Sequence, residues 1–194
     1  PSYGIDFVSK FEYRPKRWLS FYVRAKYERK QENAPENATA IDYLVPTTKG
    51  GLRFHIQYNA NRNITLKSRV ELAWYNDGVN KLSKGVLAYQ DFSYKFDRFP
   101  MTLNARYALF QTDTYDSRLY AYESDLLYLI SIPAYYGRGS RYYLTAKISA
   151  HRHVDFWIKW SQTIFTDRDV ISSGLEEIDN NVKSEIKLQM RIKF

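Results

Sequence analysis

The sequence contains no cysteine, only eight glycines and six prolines among 194 residues, and no run of apolar residues approaching 18. Without cysteine there is no disulfide framework and no thiolate metal site, although an oxidising envelope compartment remains compatible. Without a long apolar run no helix can cross a membrane, so only strands could. The sequence opens at Pro1 without Met, a basic leader or an apolar signal region, which fits a processed product or part of a longer chain; the expectation is a single domain, residues 1–194, forming the carboxy-terminal portion of a longer chain. The spacing of a Walker phosphate loop is missing.

Aromatic residues are abundant, with 18 Tyr, 11 Phe and 4 Trp. Yet mean hydropathy is negative and 26% of residues are charged, with a net charge of +8. A transmembrane β-barrel reconciles these properties, because only alternate residues meet lipid while Tyr and Trp gather at the two interfaces. The cations are not concentrated in one run, which speaks against a nucleic-acid patch and for a charged lumen.

The ending SEIKLQMRIKF has a period of two without an error. Ile186, Leu188, Met190, Ile192 and Phe194 fall on one face, and Glu185, Lys187, Gln189, Arg191 and Lys193 on the other. The apolar set and its closing aromatic resemble the signal by which outer-membrane assembly machinery recognises a last strand. Similar alternation runs through Trp18–Lys30, Thr47–Ala60 and Ile64–Tyr75, where charge keeps to one face.

Ten strands are expected, at about Tyr3–Tyr13, Trp18–Lys30, Thr47–Ala60, Ile64–Tyr75, Lys84–Phe96, Met101–Thr112, Arg118–Ser131, Arg141–Ala150, Asp155–Thr166 and Val182–Phe194. The fold class is thus all-β, an antiparallel transmembrane β-barrel of about 10 strands or the carboxy-terminal part of a larger one. Short turns alternate with long polar loops, as barrels require. Ten spanning strands, however, place the long 29–46 loop on the side of the short turns. Either a boundary between Lys84 and Ser140 is misread or a hairpin there does not span, and Arg118–Ser140 is the suspect region. In the seventh segment Glu123 and Asp125 share a face with Leu127 and Leu129, so its alternation is also the least clean.

The stretches YDSRLYAYE and PAYYGRGSRYYL, with the terminal alternating strand, resemble the barrel part of Bacteroidota outer-membrane proteins that carry helix-hairpin-helix repeats before the barrel. The resemblance covers roughly residues 85–194. It implies localisation in a Gram-negative outer membrane, while any contact with nucleic acid would belong to a domain outside these residues.

The strongest constellation is a lumen charge network: Arg24, Lys26 and Glu28; Lys67, Arg69 and Glu71; Arg106; Glu123 and Asp125; Lys147; Lys159; Glu185, Lys187, Arg191 and Lys193. Its structural reading is mutual neutralisation across neighbouring strands. Its functional reading is an anion-favouring passage. Tyr135, Tyr136, Gly137, Arg138 and Gly139 form an aromatic, glycine-flanked loop suited to folding inward or gripping a partner.

His151 and His153 lack an obvious third ligand, and no serine sits in a recognisable nucleophile elbow, so neither metal binding nor hydrolysis leads. No cofactor is implied. The expected function is a non-enzymatic outer-membrane barrel that anchors or forms part of an envelope assembly. The alternative is a small anion-favouring pore, and an outer-membrane hydrolase comes third. Expected partners are outer-membrane lipid, the barrel assembly machinery and other envelope proteins.

Overall fold

The computed structural model describes residues 3–33, 43–79 and 82–194. Eleven strands form: β1 (Ile5–Lys16), β2 (Leu19–Asn33), β3 (Leu44–Asn59), β4 (Ile64–Asn76), β5 (Ser83–Lys95), β6 (Met101–Thr112), β7 (Leu119–Tyr120), β8 (Ala134–Tyr135), β9 (Arg138–His151), β10 (Val154–Phe165) and β11 (Val182–Ile192). Nine make one antiparallel sheet in the order β1-β2-β3-β4-β5-β6-β9-β10-β11, and β7 and β8 pair separately. The all-β antiparallel architecture read from the alternation is therefore present. No helix among the described residues is long and apolar enough to cross a membrane.

Nine strands span the sheet, not ten. The expected strand at Arg118–Ser131 is absent; in its place are the two residues of β7, an isolated bridge between Glu123 and Ser131, and turns. This correction restores the alternation of ends. Connections 17–18, 60–63, 96–100 and 152–153 lie at one end of the sheet, and the strand ends at Asn33 and Leu44, Asn76 and Ser83, Thr112 and Arg138, and Phe165 and Val182 lie at the other. The end of β2 and the start of β3 now fall with the ends that flank the other long connections, as hairpin geometry requires. Broken alternation was the physical sign: a segment carrying Glu123 and Asp125 on the same side as Leu127 cannot present a clean apolar face.

Register partners share a face of a sheet. One face carries Leu52, Leu72 and Val86 in neighbouring strands, along with Phe54, Val70, Phe92, Leu109, Ile158 and Leu188, all exposed. One register row of polar members pairs sideways: Ser68 with Gln90, and Tyr142 with Gln162, whose amide donates to Ser184 Oγ at 3.0 Å. The opposite face carries most of the charges. β1 and β11 are the edges, with no strand paired to the outer side of either among the described residues.

The buried core is small and sits on the charged face at its long-loop end. Leu87, Ala108, Phe110 and Phe165 project from the sheet and meet Leu119, Ala121, Tyr135 and Ile171 from the connections. Phe110 packs edge-on against Tyr135 and Phe165, with centroids 5.5 and 5.9 Å apart. This apolar patch fastens the 113–137 connection onto the sheet.

Candidate functional site

The 113–137 connection descends over the charged face of the sheet. Its entry is a 3₁₀ turn at Tyr115–Ser117, capped by the Thr114 hydroxyl, which accepts from the Asp116 amide. Ser117 is buried and bonds Lys84 O at 3.0 Å and Ser83 Oγ at 2.8 Å. The absence of a side chain at Gly85 allows this approach, because a Cβ there would lie 2.3 Å from Ser117 O. Further on, the Gln189 amide donates to Leu127 O at 3.1 Å. Gln189 is the register partner of Trp157, eight residues along β10 from Phe165 at the long-loop end. At about 3.3 Å per residue the segment therefore reaches roughly 26 Å down the sheet.

Glu123 is the centre of its attachment, with no exposure to solvent. Arg141 grips it bidentately at 2.7 and 2.9 Å, the Tyr135 hydroxyl donates at 2.9 Å, and Lys159 Nζ lies at 3.3 Å. Asp125 holds the other side of Lys159 at 2.9 Å and accepts from Lys187 at 3.3 Å. Two carboxylates thus meet three cations drawn from β9, β10 and β11. Burial alone would raise the Glu123 carboxyl, but Arg141 and then Lys159 overcome it and hold the group below the ordinary carboxylate range. Asp125 is lowered in the same way, burial being outweighed by Lys159, the Leu126 amide and Lys187. The segment is locked in place by charge as well as by its apolar contacts.

The remaining network residues fall into smaller groups. Lys26 pairs with Glu28 at 2.8 Å, Arg69 with Glu71, and Arg106 with Asp91 through both carboxylate oxygens. Glu71 also accepts from Arg53 at 2.9 Å, and Arg69 donates to Tyr120 O at 3.0 Å, tying β4 to the inner segment. Arg191 and Lys193 converge on Asp155, at 2.5 and 3.0 Å, and Glu185 lies 3.4 Å from Lys187. Lys147 sits over the Trp157 ring, 5.5 Å from its centroid. Arg24 and Lys67 form no ion pair among the described residues, although Arg24 projects into a cavity shared with Lys49 and Arg53.

The glycine-flanked loop turns inward. Tyr135 is 1% exposed, Gly137 adopts φ +74° and donates its amide to Thr112 Oγ1, and Gly139 packs where a Cβ would lie 2.2 Å from Ile164 O. Tyr136 is held edge-on by Tyr115, and Arg138 opens β9. On β11 the side chains of Ile186, Leu188, Met190 and Ile192 stand exposed on the apolar face, with Phe194 beyond the strand end. His151 and His153 stack at 5.5 Å beside the short turn, and no group of three metal-ligating side chains occurs among the described residues.

Arg53, Asp91, Arg141 and Asp155 complete these pairs and were not among the residues singled out in the sequence. Arg53 and Asp91 were recoverable, since each lies on the charged face of an alternating strand. Arg141 lies on the charged face of β9 by the same alternation, but its pairing had no such signal, because its partner Glu123 is 18 residues away on a segment that does not alternate. No protein-family model, curated protein or solved structure matches the chain.

Proposed function

We propose that this chain forms the wall of an outer-membrane β-barrel with a closed interior, serving as a membrane anchor or subunit of an envelope assembly. The observation that carries this reading is the inner segment, fixed by Glu123 and Asp125 across three strands and extending most of the way down the charged face. A segment held there fills the space that an aqueous channel would need. The exposed apolar face suits lipid, and the sideways pairing of Ser68, Gln90, Tyr142, Gln162 and Ser184 suits it too. In hydrocarbon each unpaired polar group costs several kcal/mol, so polar side chains facing lipid need such partners.

Separation of short turns from long loops fits the periplasmic and extracellular rims of such a barrel, and β11 with its apolar row would be the strand presented to the assembly machinery. The polar interior needs no catalytic group in this role. Planar-bilayer recording tests it. The wild-type chain is expected to conduct nothing, and replacing residues 121–133 by a two-glycine turn joining the paired positions Tyr120 and Ala134 is expected to open steady conductance. Equal conductance in both would remove the plug from the account. A second reading, an anion-favouring pore, draws on the cations along β2, β3 and β4. Anion-biased current in the wild type that Lys67→Gln or Arg69→Gln alters would establish that reading instead.

A further inference from the structure

The charged face is not uniformly neutralised. Register places Lys10 beside Arg24 and Arg24 beside Arg53, three cations in a row across β1, β2 and β3. Directly opposed side chains on one face lie about 4.5–5.5 Å apart at Cβ, where like charges destabilise the pairing. Lys10 is answered by Glu12 at 2.8 Å and Arg53 by Glu71 at 2.9 Å. Arg24, between them, makes no ion pair among the described residues. Arg53 also leaves its buried Nε without a hydrogen-bond partner.

Beside this row lies a cavity of about 250 Å³. Its space is created by Gly51 and Ala73, register partners on the charged face whose small side chains leave the sheet bare. Arg24, Lys26, Lys49 and Arg53 line it from β2 and β3, Glu71 from β4, and Arg118 and Tyr120 from the inner segment. Five cations and one carboxylate line it; Lys26 is answered from outside the cavity by Glu28, and the Glu71 carboxylate is already engaged by Arg53 and Arg69, which leaves Arg24, Lys49 and Arg118 as the cationic excess. Arg118 is held in position by its bonds to the Tyr120 hydroxyl at 2.7 Å and Tyr115 O at 2.9 Å.

We propose that this cavity binds a phosphomonoester dianion, a phosphorylated sugar either free or as the headgroup of a lipid. Guanidinium forks from Arg24, Arg53 and Arg118 match the oxygens of a phosphate, while Lys49 adds a point charge. A single negative charge would leave most of the cationic excess uncompensated. The volume lies slightly below the roughly 300–1,000 Å³ of small-molecule sites, which suits a sugar phosphate better than a nucleotide-sized ligand. Tyr120 offers a ring for the sugar portion. Arg118 and Tyr120 come from the inner segment that closes the interior, but the site depends only on their position and holds whether or not the barrel conducts.

The test is calorimetric titration of the whole chain, in an uncharged phosphate-free detergent and 100 mM salt, with glucose 1-phosphate and with glucose. Glucose 1-phosphate is expected to bind and glucose is not; Arg24→Gln and Lys49→Gln are each expected to weaken binding at least tenfold, and Lys183→Gln, outside the cavity, to leave it unchanged. Phosphorus in a chloroform–methanol extract of the purified protein, stoichiometric in the wild type and lost in Arg24→Gln, identifies the lipid source. Binding of added glucose 1-phosphate without extractable phosphorus identifies a free sugar phosphate. Absence of both, or equal weakening by Arg24→Gln and Lys183→Gln, would overturn the proposal, since equal weakening reports only net charge. Melting curves of the variants confirm that they remain folded.

Discussion

The half of the sheet beneath the inner segment and the half left open solve the same electrostatic problem differently. Across β1 and β2 the charges are answered mainly by neighbours two positions away on the same strand: Lys10 and Arg14 by Glu12, Lys26 by Glu28, Lys30 by Glu32. These pairs are solvent-accessible, and such pairs contribute little to stability. Across β9, β10 and β11 the partners come from elsewhere in the chain. Glu123 meets Arg141 and Lys159, Asp125 meets Lys187, and Lys159 is 1% exposed. Burial makes those contacts consequential, because removing one partner strands a charge away from water. Local pairing therefore keeps the open half tolerable, while distant pairing determines the position of the plug.

The largest expected effect follows from Glu123→Ala. Arg141 and Lys159 lose their shared carboxylate, and breaking a buried pair costs about 3–5 kcal/mol. Asp125 still holds Lys159, so the lower end of that range is expected, read as loss of hydrogen-exchange protection over residues 119–135. Equal loss of protection in β1 and β2 would mean that the two halves unfold as one.

Gly85→Val is next. The added Cβ collides with Ser117 O, and overpacking of this kind costs about 1–3 kcal/mol. Faster proteolysis within 113–137, with β1–β4 unaffected, is the expected result.

Acidification should also separate the halves. Glu123 and Asp125 have folded pKa values below their ordinary ones, so their contribution is complete above the ordinary carboxylate range and disappears as pH falls through the lowered folded values. Protease protection of the inner segment is expected to persist from neutral pH to about 5 and to be lost only below about pH 4. Release between pH 6 and 7 would point to some other group.

The smallest effect is a gain. Arg24→Gln relieves the like-charge row and is expected to stabilise the ligand-free protein by about 0.2–1 kcal/mol in denaturant unfolding. A loss of stability would show that Arg24 has a partner in the folded protein.

Strand positions, face assignments and the local ion pairs were legible because a strand has a period of two and each residue's face follows from its neighbours. The alternation from Ser184 to Phe194 and across Ile64–Tyr75 corresponds to β11 and β4 almost residue for residue. The expected strand at Arg118–Ser131 failed for the same reason that the others succeeded. Its alternation, mixed with turn residues and ending near Pro133, lacked the separation of charge from Leu that a two-faced strand needs.

The sequence by itself determined an antiparallel sheet with one apolar and one charged face, since side-chain alternation is a local consequence of backbone geometry. It also exposed the parity conflict that pointed to residues 118–140. Only the tertiary structure decided that this region lies over the charged face, that Glu123 belongs with Arg141 and Asp125 with Lys187, and that Lys10, Arg24 and Arg53 share a row. Those relations depend on strand register and on contacts between residues up to 62 positions apart. A period of two carries no information about which residue on the next strand stands opposite.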